Sequence, residues 1–139
     1  MNRIIEKHFF SDNVAGLVIE APLIARSRRA GHFVIVRVDE HSERMPLTIA
    51  DADIEKGTIT LVVQRIGVSS AKLMALNVGD EVADLVGPLG KATDIQHFGT
   101  VVCACGGVGA APMLPIAQAL KQAGNRVITV LAARTAELI

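Results

Sequence analysis

Three glycines follow an apolar run in the second half of the sequence, an arrangement suited to phosphate binding. Val101–Cys105 is apolar and rich in β-formers; Gly106, Gly107 and Gly109 come next, and Pro112 follows where a helix could start. In a strand–turn–helix unit of this kind, backbone N–H groups at the helix N-terminus can bind a pyrophosphate. Glycine lets the ligand approach the backbone and permits a positive φ. A tight strand-to-helix turn without a ligand is the alternative interpretation.

The residues after this turn predict a helix and a second strand. Pro112–Ala123 has apolar side chains at helical spacing, and Gly124 follows where a helix commonly ends. Arg126–Ala133 is almost continuously apolar, as in a parallel strand covered on both faces. Thr100–Ala133 therefore predicts one βαβ unit of about 30 residues. The expected apolar helix face consists of Met113, Ile116, Ala117 and Leu120.

A single βαβ unit is too small to cover both faces of its own sheet. We therefore expect residues 99–139 to be the truncated start of an α/β nucleotide-binding domain within a longer protein. A homodimer formed through the incomplete sheet would be another way to cover it.

Residues 1–98 have a different pattern, with about six short strands and one short helix separated by turn residues. This pattern predicts an all-β, antiparallel, six-stranded closed barrel as a separate domain. The expected strands are Arg3–Phe10, Val14–Glu20, Gly31–Val38, Arg44–Ala50, Thr58–Ile66 and Glu81–Val86, and the expected helix is Ala71–Leu76 with a serine as N-cap. Gly87–Gly90 is expected to end the last of these strands.

The composition restricts the classes of partner. The 139-residue chain is 50% hydrophobic and carries 14 basic and 14 acidic side chains, so it gives no electrostatic argument for a nucleic-acid partner. Its apolar runs are shorter than a membrane span, and its charged N-terminus lacks the apolar core of a signal peptide. Two cysteines fit a reduced, cytoplasmic protein better than a disulfide scaffold.

Other polar residues have plain interpretations beside the chemical ones. The arginines at 26, 28 and 29 are expected in a solvated turn, with a phosphate contact as the alternative. Asp51, Asp53 and Glu55 are expected in a solvated acidic loop rather than at a metal. Cys103 and Cys105 point the same way along a strand and are expected to be buried structural thiols. They do not form an iron–sulfur site by themselves, because such a cluster needs four cysteines. The four histidines lack metal-ligand spacing.

Five motifs in order resemble the ferredoxin–NADP reductase superfamily, flavoproteins with an FAD-binding barrel followed by a nicotinamide-nucleotide domain. They are Gly31–Val34, Arg44–Ile49, Gly67–Ser70 followed by Leu73, Gly106–Pro112, and Arg134-Thr135. The Pro-Leu-Thr-Ile sequence at 46–49 resembles the branch of small electron-transfer subunits found in NADH-dependent ferredoxin:NADP oxidoreductase, also called the sulfide dehydrogenase β subunit, and in dihydroorotate dehydrogenase B.

The resemblance implies FAD and NAD or NADP as cofactors. A hydride would pass from the nicotinamide nucleotide to FAD, and electrons would pass singly to a [2Fe–2S] centre bound outside this chain. It also implies a large catalytic or electron-transfer subunit and ferredoxin as partners, and low activity of this chain alone. A non-enzymatic barrel that serves as an adaptor is the competing interpretation.

The same resemblance assigns site residues. An isoalloxazine needs an apolar slot with a few polar partners at its edge; an ordinary barrel strand is the alternative interpretation of the slot residues. Thr48 receives the catalytic position, with its hydroxyl near the flavin N5. Ser69 fits either a diphosphate contact or a helix N-cap. The expected flavin residues are Arg44, Pro46, Leu47, Thr48, Ile49, Val62, Val63, Gln64, Gly67, Ser69 and Ser70; the expected nucleotide residues are Gly106, Gly107, Val108, Gly109, Pro112 and Arg134.

Two departures from the family pattern concern the flavin strand. The family places arginine three residues before the serine or threonine, whereas that position is Met45 here and Arg44 is one residue earlier. One residue reverses the face of a strand, so Arg44 reaches the diphosphate only if the backbone is irregular. Because position 47 is leucine, an aromatic stacking partner within this chain must be Phe33 or Phe98.

Overall fold

The computed structural model describes residues 2–136, which form eight strands and three α-helices. The strands are β1 (Ile4–Ser11), β2 (Val14–Glu20), β3 (Phe33–Arg37), β4 (Met45–Asp53), β5 (Thr58–Gln64), β6 (Asp84–Leu89), β7 (Thr100–Gly106) and β8 (Arg126–Ala132). The helices are α1 (Pro22–Ser27), α2 (Val68–Ala75) and α3 (Ala110–Gln122), with a 3₁₀ turn at Gly107–Gly109.

The first six strands form one antiparallel sheet in the order β1-β2-β5-β4-β3-β6. Backbone bonds join the segments that adjoin its two edge strands. Arg3 bridges Glu81, the Ile4 N–H donates to the Asp80 carbonyl at 2.8 Å, and the Gly79 N–H donates to the Ile4 carbonyl at 2.8 Å. The predicted six-stranded antiparallel fold with a short helix is therefore confirmed.

Alternation along the strands places one face of this sheet in the core. Ala15, Leu17 and Ile19 of β2 are fully buried, and so are Val34 and Val36 of β3. The strand period of two explains why Phe33, Ile35 and Arg37 project to the other face. Helix α2 contributes Leu73 and Met74 to the same core.

Three local predictions for this region are wrong. The arginine-rich segment contains α1 rather than only a turn, because Pro22 occupies an early helix position, where its fixed φ is compatible with a helix. Asp51 and Asp53 lie in β4 and not in a loop, since β4 pairs with β5 as far as Asp53–Thr58. Residues 87–89 belong to β6 instead of ending it, and the Gly87–Pro88 peptide bond is cis.

The βαβ unit is confirmed: β7 and β8 pair in parallel from Thr100–Arg126 to Gly106–Ala132. Helix α3 starts at Ala110 rather than Pro112, and Gly124 follows it with φ +92°. Its predicted apolar face is turned inward, with Leu120 buried and Met113, Ile116 and Ala117 half-buried. Ile128, Val130 and Leu131 of β8 are exposed, in agreement with the expectation that one βαβ unit does not cover both faces of its sheet.

Candidate functional site

Strands β4 and β5 separate at the point where the predicted flavin residues begin. Their ladder runs from Asp53–Thr58 to Ile49–Leu61. Beyond that pair, Pro46–Thr48 continues beside β3, whereas Val62–Gln64 continues beside β2. The two segments thus face each other across a gap, each with one edge in a ladder. Pro46 has no N–H, which favours the end of such a pairing.

Phe33 lies directly opposite Thr48 across the β3–β4 pair, and Ile35 lies opposite Pro46. Residues opposite each other share a face of the sheet, so Phe33 and Thr48 are neighbours on the face away from the core. The sequence offers two aromatic residues as stacking partners. One of them, Phe33, is thus on β3, the strand that pairs with the predicted flavin residues of β4. Phe98 is 57% exposed and precedes β7.

The N-terminus of α2 contains a glycine with open space beside it and a serine whose hydroxyl has all its hydrogen-bond positions filled. Apart from Gly67 itself and its two chain neighbours, no atom of the described residues lies within 4 Å of the position that a Cβ on Gly67 would take. The Ser70 Oγ accepts the N–H groups of Ile66 at 2.9 Å and Gly67 at 3.0 Å and donates to the Gly67 carbonyl at 3.1 Å. These bonds use the donor and both acceptor positions of a hydroxyl. The predicted serine N-cap is wrong, because Gly67 is the N-cap residue.

Lys7 of β1 supports the opposite end of α2. Its ammonium group donates to the carbonyl of Met74 and, at 2.8 Å, to that of Leu76. A cation is favourable at a helix C-terminus because the helix dipole is negative there. Lys7 therefore ties α2 to β1 at the end remote from Gly67.

The turn before β4 packs against α2, a relationship that the sequence pattern did not reveal. The Glu43 N–H donates to the Ser69 Oγ at 3.3 Å, and Lys72 of α2 pairs with Asp39 at 3.3 Å. The Ser42 hydroxyl donates to Asp39 at 2.7 Å. Serine-to-aspartate spacing at 39–42 signals a local turn, but the contacts with α2 join residues far apart in sequence.

Asp39 has a lowered pKa. The pKa falls from 3.8 to about 2, chiefly because of the hydrogen bond from Ser42, with further stabilisation of the carboxylate by the His41 N–H and by Lys72, while desolvation opposes the shift. Hydrogen bonds to the charged form favour that form. Asp39 thus holds the turn together as a carboxylate.

Arg44 is exposed and lies beside an ion pair of the sheet. Its Nη2 is 3.7 Å from the Asp84 carboxylate, while Arg37 contacts the same carboxylate at 2.6 Å. Arg44 precedes β4, which begins at Met45, so the strand alternation of β4 does not fix its direction. Arg44 is therefore a turn residue, and the argument that a shift of one residue reverses the face of a strand does not apply to it.

Gly106–Gly109 connects β7 to α3, as predicted. Gly107 has φ +56°, and, apart from its own helical turn and its chain neighbours, no atom among the described residues lies within 4 Å of a Cβ placed there. The turn is solvent-exposed at Gly106 and Gly107, and Val108 is 37% exposed. Pro112 is half-buried in the first turn of α3, and Arg134 is exposed just after β8. Helix α3 also contacts β4, which joins this unit to the sheet.

Both cysteines lie on β7, and His32 makes a hydrogen bond within its own turn. Cys103 is buried, but Cys105 is only half-buried, with its Sγ 3.8 Å from the Val130 carbonyl. His32 accepts the Arg29 N–H at 2.9 Å. Within residues 2–136, His, Cys, Asp and Glu side chains form no group of three or more that could hold a metal ion. No helix in that range is long and apolar enough to cross a membrane.

Two open hollows, of about 470 and 460 Å³, lie elsewhere on the sheet. Residues of β1, β2 and β5 line both, including Ile5, Glu6, Val18 and Thr60. The residues from the predicted flavin and nucleotide sets do not line either hollow. The flavin set lies on β4, β5, the start of α2 and the turn before β4, whereas the nucleotide set lies on the turn between β7 and α3, at the start of α3 and just after β8.

Similarity to known proteins agrees with this architecture. The chain is 40% identical over 139 residues to the dihydroorotate dehydrogenase B (NAD(+)) electron transfer subunit homolog of Thermotoga maritima, covering 100% of the chain and 49% of that relative. It is 35% identical over 121 residues to the dihydroorotate dehydrogenase B (NAD(+)) electron transfer subunit of Shouchella clausii, covering 83% of the chain and 46% of that relative. The chain thus spans about half the length of these curated relatives. No protein-family model matches it.

Solved structures give the same result. A chain of the NADH-dependent reduced ferredoxin-NADP oxidoreductase, a structure described for flavin-based electron bifurcation, superposes with a TM-score of 0.97 and 41% identity, over 100% of this chain and 51% of that one. Phthalate dioxygenase reductase superposes with a TM-score of 0.82 and 20% identity, over 98% of this chain and 44% of that one, which shows a common fold. The chain is therefore homologous to about half of each of these electron-transfer subunits, and it shares the fold of ferredoxin-reductase-like proteins.

Proposed function

We propose that this chain is the flavin-binding part of an electron-transfer subunit, with FAD held at the junction of β4, β5 and α2. The observation that carries the proposal is the separation of β4 from β5 beyond the Ile49–Leu61 pair, directly before the open N-terminus of α2. Backbone donors and acceptors at such a gap suit the polar edge of an isoalloxazine. Homology to electron-transfer subunits supports the same assignment.

The residues at this junction fit FAD. Open space at Gly67 admits a diphosphate, and the first N–H groups of α2, at Val68 to Ser70, have no partner within the helix. Half-buried Val62 and exposed Pro46 supply apolar surface, and Gln64 supplies an amide. Half-buried Leu47 lies opposite buried Val34 and packs against the core. Buried Ile49 and Val63 support these side chains from the core. The diphosphate role belongs to the backbone and Ser69; Ser70 acts by holding the turn.

Thr48 carries the proposed catalytic position on β4. Its half-buried hydroxyl, beside Phe33, would donate to or accept from the reactive edge of the flavin and so orient that edge. Bound FAD would supply the conversion of a two-electron hydride donation into single-electron transfers. This chemistry requires alignment of two rings, so no acid–base side chain is assigned. Arg44 lies on the exposed turn from which its guanidinium could reach a diphosphate oxygen.

The βαβ unit is the proposed start of a nicotinamide-nucleotide domain, with a boundary between residues 1–98 and 99–139. The open turn at Gly106–Gly109 and the start of α3 at Pro112 would bind the dinucleotide backbone, with Arg134 nearby after β8. NAD and NADP are both consistent with these residues. Relatives of about twice the length support a domain that continues beyond this unit. We therefore expect little NAD(P)H oxidation by the 139-residue chain alone.

The partners follow from the relatives' names. An electron transfer subunit implies a larger catalytic subunit, and the ferredoxin-NADP oxidoreductase relative supports ferredoxin as an electron acceptor or donor. A [2Fe–2S] centre would then lie outside this chain and receive single electrons from the flavin. A cytoplasmic location is proposed because such subunits act on soluble nucleotides. A homodimer through β7 and β8 remains a proposal for the isolated chain.

FAD binding by the purified chain tests the proposal. The protein should take up FAD with about one flavin per chain, seen as yellow absorbance retained after gel filtration and as a change in flavin fluorescence. Gly67→Val is the test variant, because its side chain would fill the open space at the start of α2. Ala75→Val, at the far end of α2, is its control. A wild-type chain that stays colourless after incubation with FAD contradicts the proposal and favours the adaptor interpretation.

A further inference from the structure

Asn125 is a buried amide whose hydrogen bonds join three separate segments. It is 6% exposed and follows α3. Its Oδ1 accepts the N–H groups of Phe98 at 2.6 Å and Gly99 at 3.0 Å. Its Nδ2 donates to the carbonyls of Gln96 and Leu120, each at 2.8 Å. Both donors and both acceptor positions of the amide are therefore used.

The segment that Asn125 holds is the connection between the six-stranded sheet and the βαβ unit. Residues 90–99 join β6 to β7 without regular secondary structure. At their other end, the Thr93 N–H donates to the Ala30 carbonyl at 2.9 Å. A Cβ on Gly31 would overlap the Thr93 Oγ1, and one on Gly90 would lie 2.8 Å from the Phe33 ring. The connection is thus packed closely against the start of β3 and the residues before it.

We infer that Asn125 is a positioning residue that fixes the βαβ unit, and with it the glycine turn, relative to the flavin strands. The amide ties the connection to the C-terminal end of α3 at Leu120, while α3 itself contacts β4. The glycine turn begins the same helix. The significance of this orientation for electron transfer rests on the proposed function, whereas the orientation itself does not depend on it.

Asparagine is the residue type that these four partners require. Aspartate would keep the shape but place a carboxylate oxygen against the carbonyls of Gln96 and Leu120, because an ionised carboxylate only accepts hydrogen bonds. Alanine would leave the N–H groups of Phe98 and Gly99 and the Gln96 carbonyl without this side-chain partner, while the Leu120 carbonyl keeps the Asn125 backbone N–H at 3.2 Å. Asn125→Ala should therefore release the connection from the end of α3, whereas Asn125→Asp keeps the bonds from Phe98 and Gly99 and loses those to Gln96 and Leu120. In both variants the ladders within the sheet and the β7–β8 pair keep their own bonds.

Residual dipolar couplings of the backbone N–H groups test this orientation in the full 139-residue chain. In the wild type, one alignment tensor should describe both the six-stranded sheet and the βαβ unit. In Asn125→Ala we expect loss of the common tensor, with reduced couplings in β7, α3 and β8, while amide shifts within β1–β6 stay unchanged. Gln122→Ala, on the exposed end of α3, should keep the single tensor. A single tensor retained in Asn125→Ala overturns the inference.

Wild-type measurements keep the inference testable if the variants lose the βαβ fold. The Phe98 and Gly99 amides should exchange slowly with solvent, and residues 94–99 should have order parameters near the rigid value of about 0.85. Order parameters below about 0.6 there would overturn the inference directly. FAD uptake is recorded separately. If the wild-type chain has a common tensor but does not bind FAD, the proposed function alone is contradicted. If the wild-type chain binds FAD but lacks a common tensor, only the role of Asn125 is contradicted.

Discussion

The Oγ of Ser70 accepts the Gly67 N–H at 3.0 Å, so the serine that resembles a ligand contact is occupied in closing the turn before α2. We expect Ser70→Ala to lower the free energy of unfolding by about 1 kcal/mol, because it removes the partner of two backbone N–H groups. FAD affinity should fall as a secondary effect of a less ordered turn. Urea denaturation and flavin titration measure the two quantities. Ser27→Ala, at an exposed position at the end of α1, is the matched control. Equal stability of the two variants would contradict this assignment.

Thr48 should affect FAD binding without a comparable effect on folding. Loss of one hydroxyl hydrogen bond weakens binding by about three- to tenfold. We therefore expect Thr48→Ala to lower FAD affinity by that factor, and Thr48→Ser to retain most of it. Thr60→Ala, on β5 away from the junction, should bind like the wild type. If Thr48→Ala and Thr60→Ala have the same FAD dissociation constant, Thr48 does not contact the flavin.

Gly67 allows a test of the open space at the start of α2. Its φ of −152° and ψ of −168° are extended, a conformation that β-branched residues adopt readily. Gly67→Val should therefore leave the unfolding midpoint nearly unchanged and yet reduce FAD affinity by about tenfold or more, because the side chain fills the cradle. Isothermal titration and thermal denaturation give the two measurements. Normal FAD affinity in a folded Gly67→Val protein would place the diphosphate elsewhere.

Arg37 and Arg44 share one carboxylate but should differ in their effects. Arg37 is 2.6 Å from Asp84 with 26% of its side chain exposed, whereas Arg44 is 3.7 Å away and 58% exposed. Exposed ion pairs contribute about 0–1 kcal/mol, so Arg44→Ala should barely change stability and Arg37→Ala should cost more. If Arg44 contacts the diphosphate, Arg44→Ala will weaken FAD binding most at low salt. Equal stability losses in both variants would contradict the ranking.

Asp39 predicts a defined acid transition in the turn before β4. Its pKa is lowered from 3.8 to about 2, so its stabilising contribution is present above pH 3.8 and is lost as the pH falls toward 2. An NMR titration of the Asp39 carboxyl group should have its midpoint near 2. In Ser42→Ala the midpoint should move toward 3.8, because the Ser42 hydroxyl is the largest cause of the shift; Ser27→Ala should leave it in place. A midpoint that stays near 2 in Ser42→Ala would assign the low pKa to the His41 N–H and Lys72 instead.

Local patterns in the sequence were sufficient for most of the fold. The β1–β2 hairpin, the strand at 58–64 and the βαβ unit all have periodic or glycine-bounded signals that span fewer than about 35 residues. Errors arose where a tertiary contact extended or replaced a local preference. Strand β4 continues through Asp51 and Asp53 because β5 pairs with it, and α1 forms with Ile24 and Ala25 buried in the core.

The sequence by itself determined which residues are chemically suited to a flavin and a dinucleotide, since glycine turns, β-branched strands and the Pro-Leu-Thr-Ile sequence are local features. Only the tertiary structure decided that β4 pairs with β5 from Ile49 onward and not before it, that Phe33 lies opposite Thr48, and that the Ser70 hydroxyl has all its hydrogen-bond positions filled. The physical reason is that strand neighbours and buried amide contacts join residues distant in sequence. Their geometry is set by packing and by the satisfaction of backbone hydrogen bonds, not by local propensity.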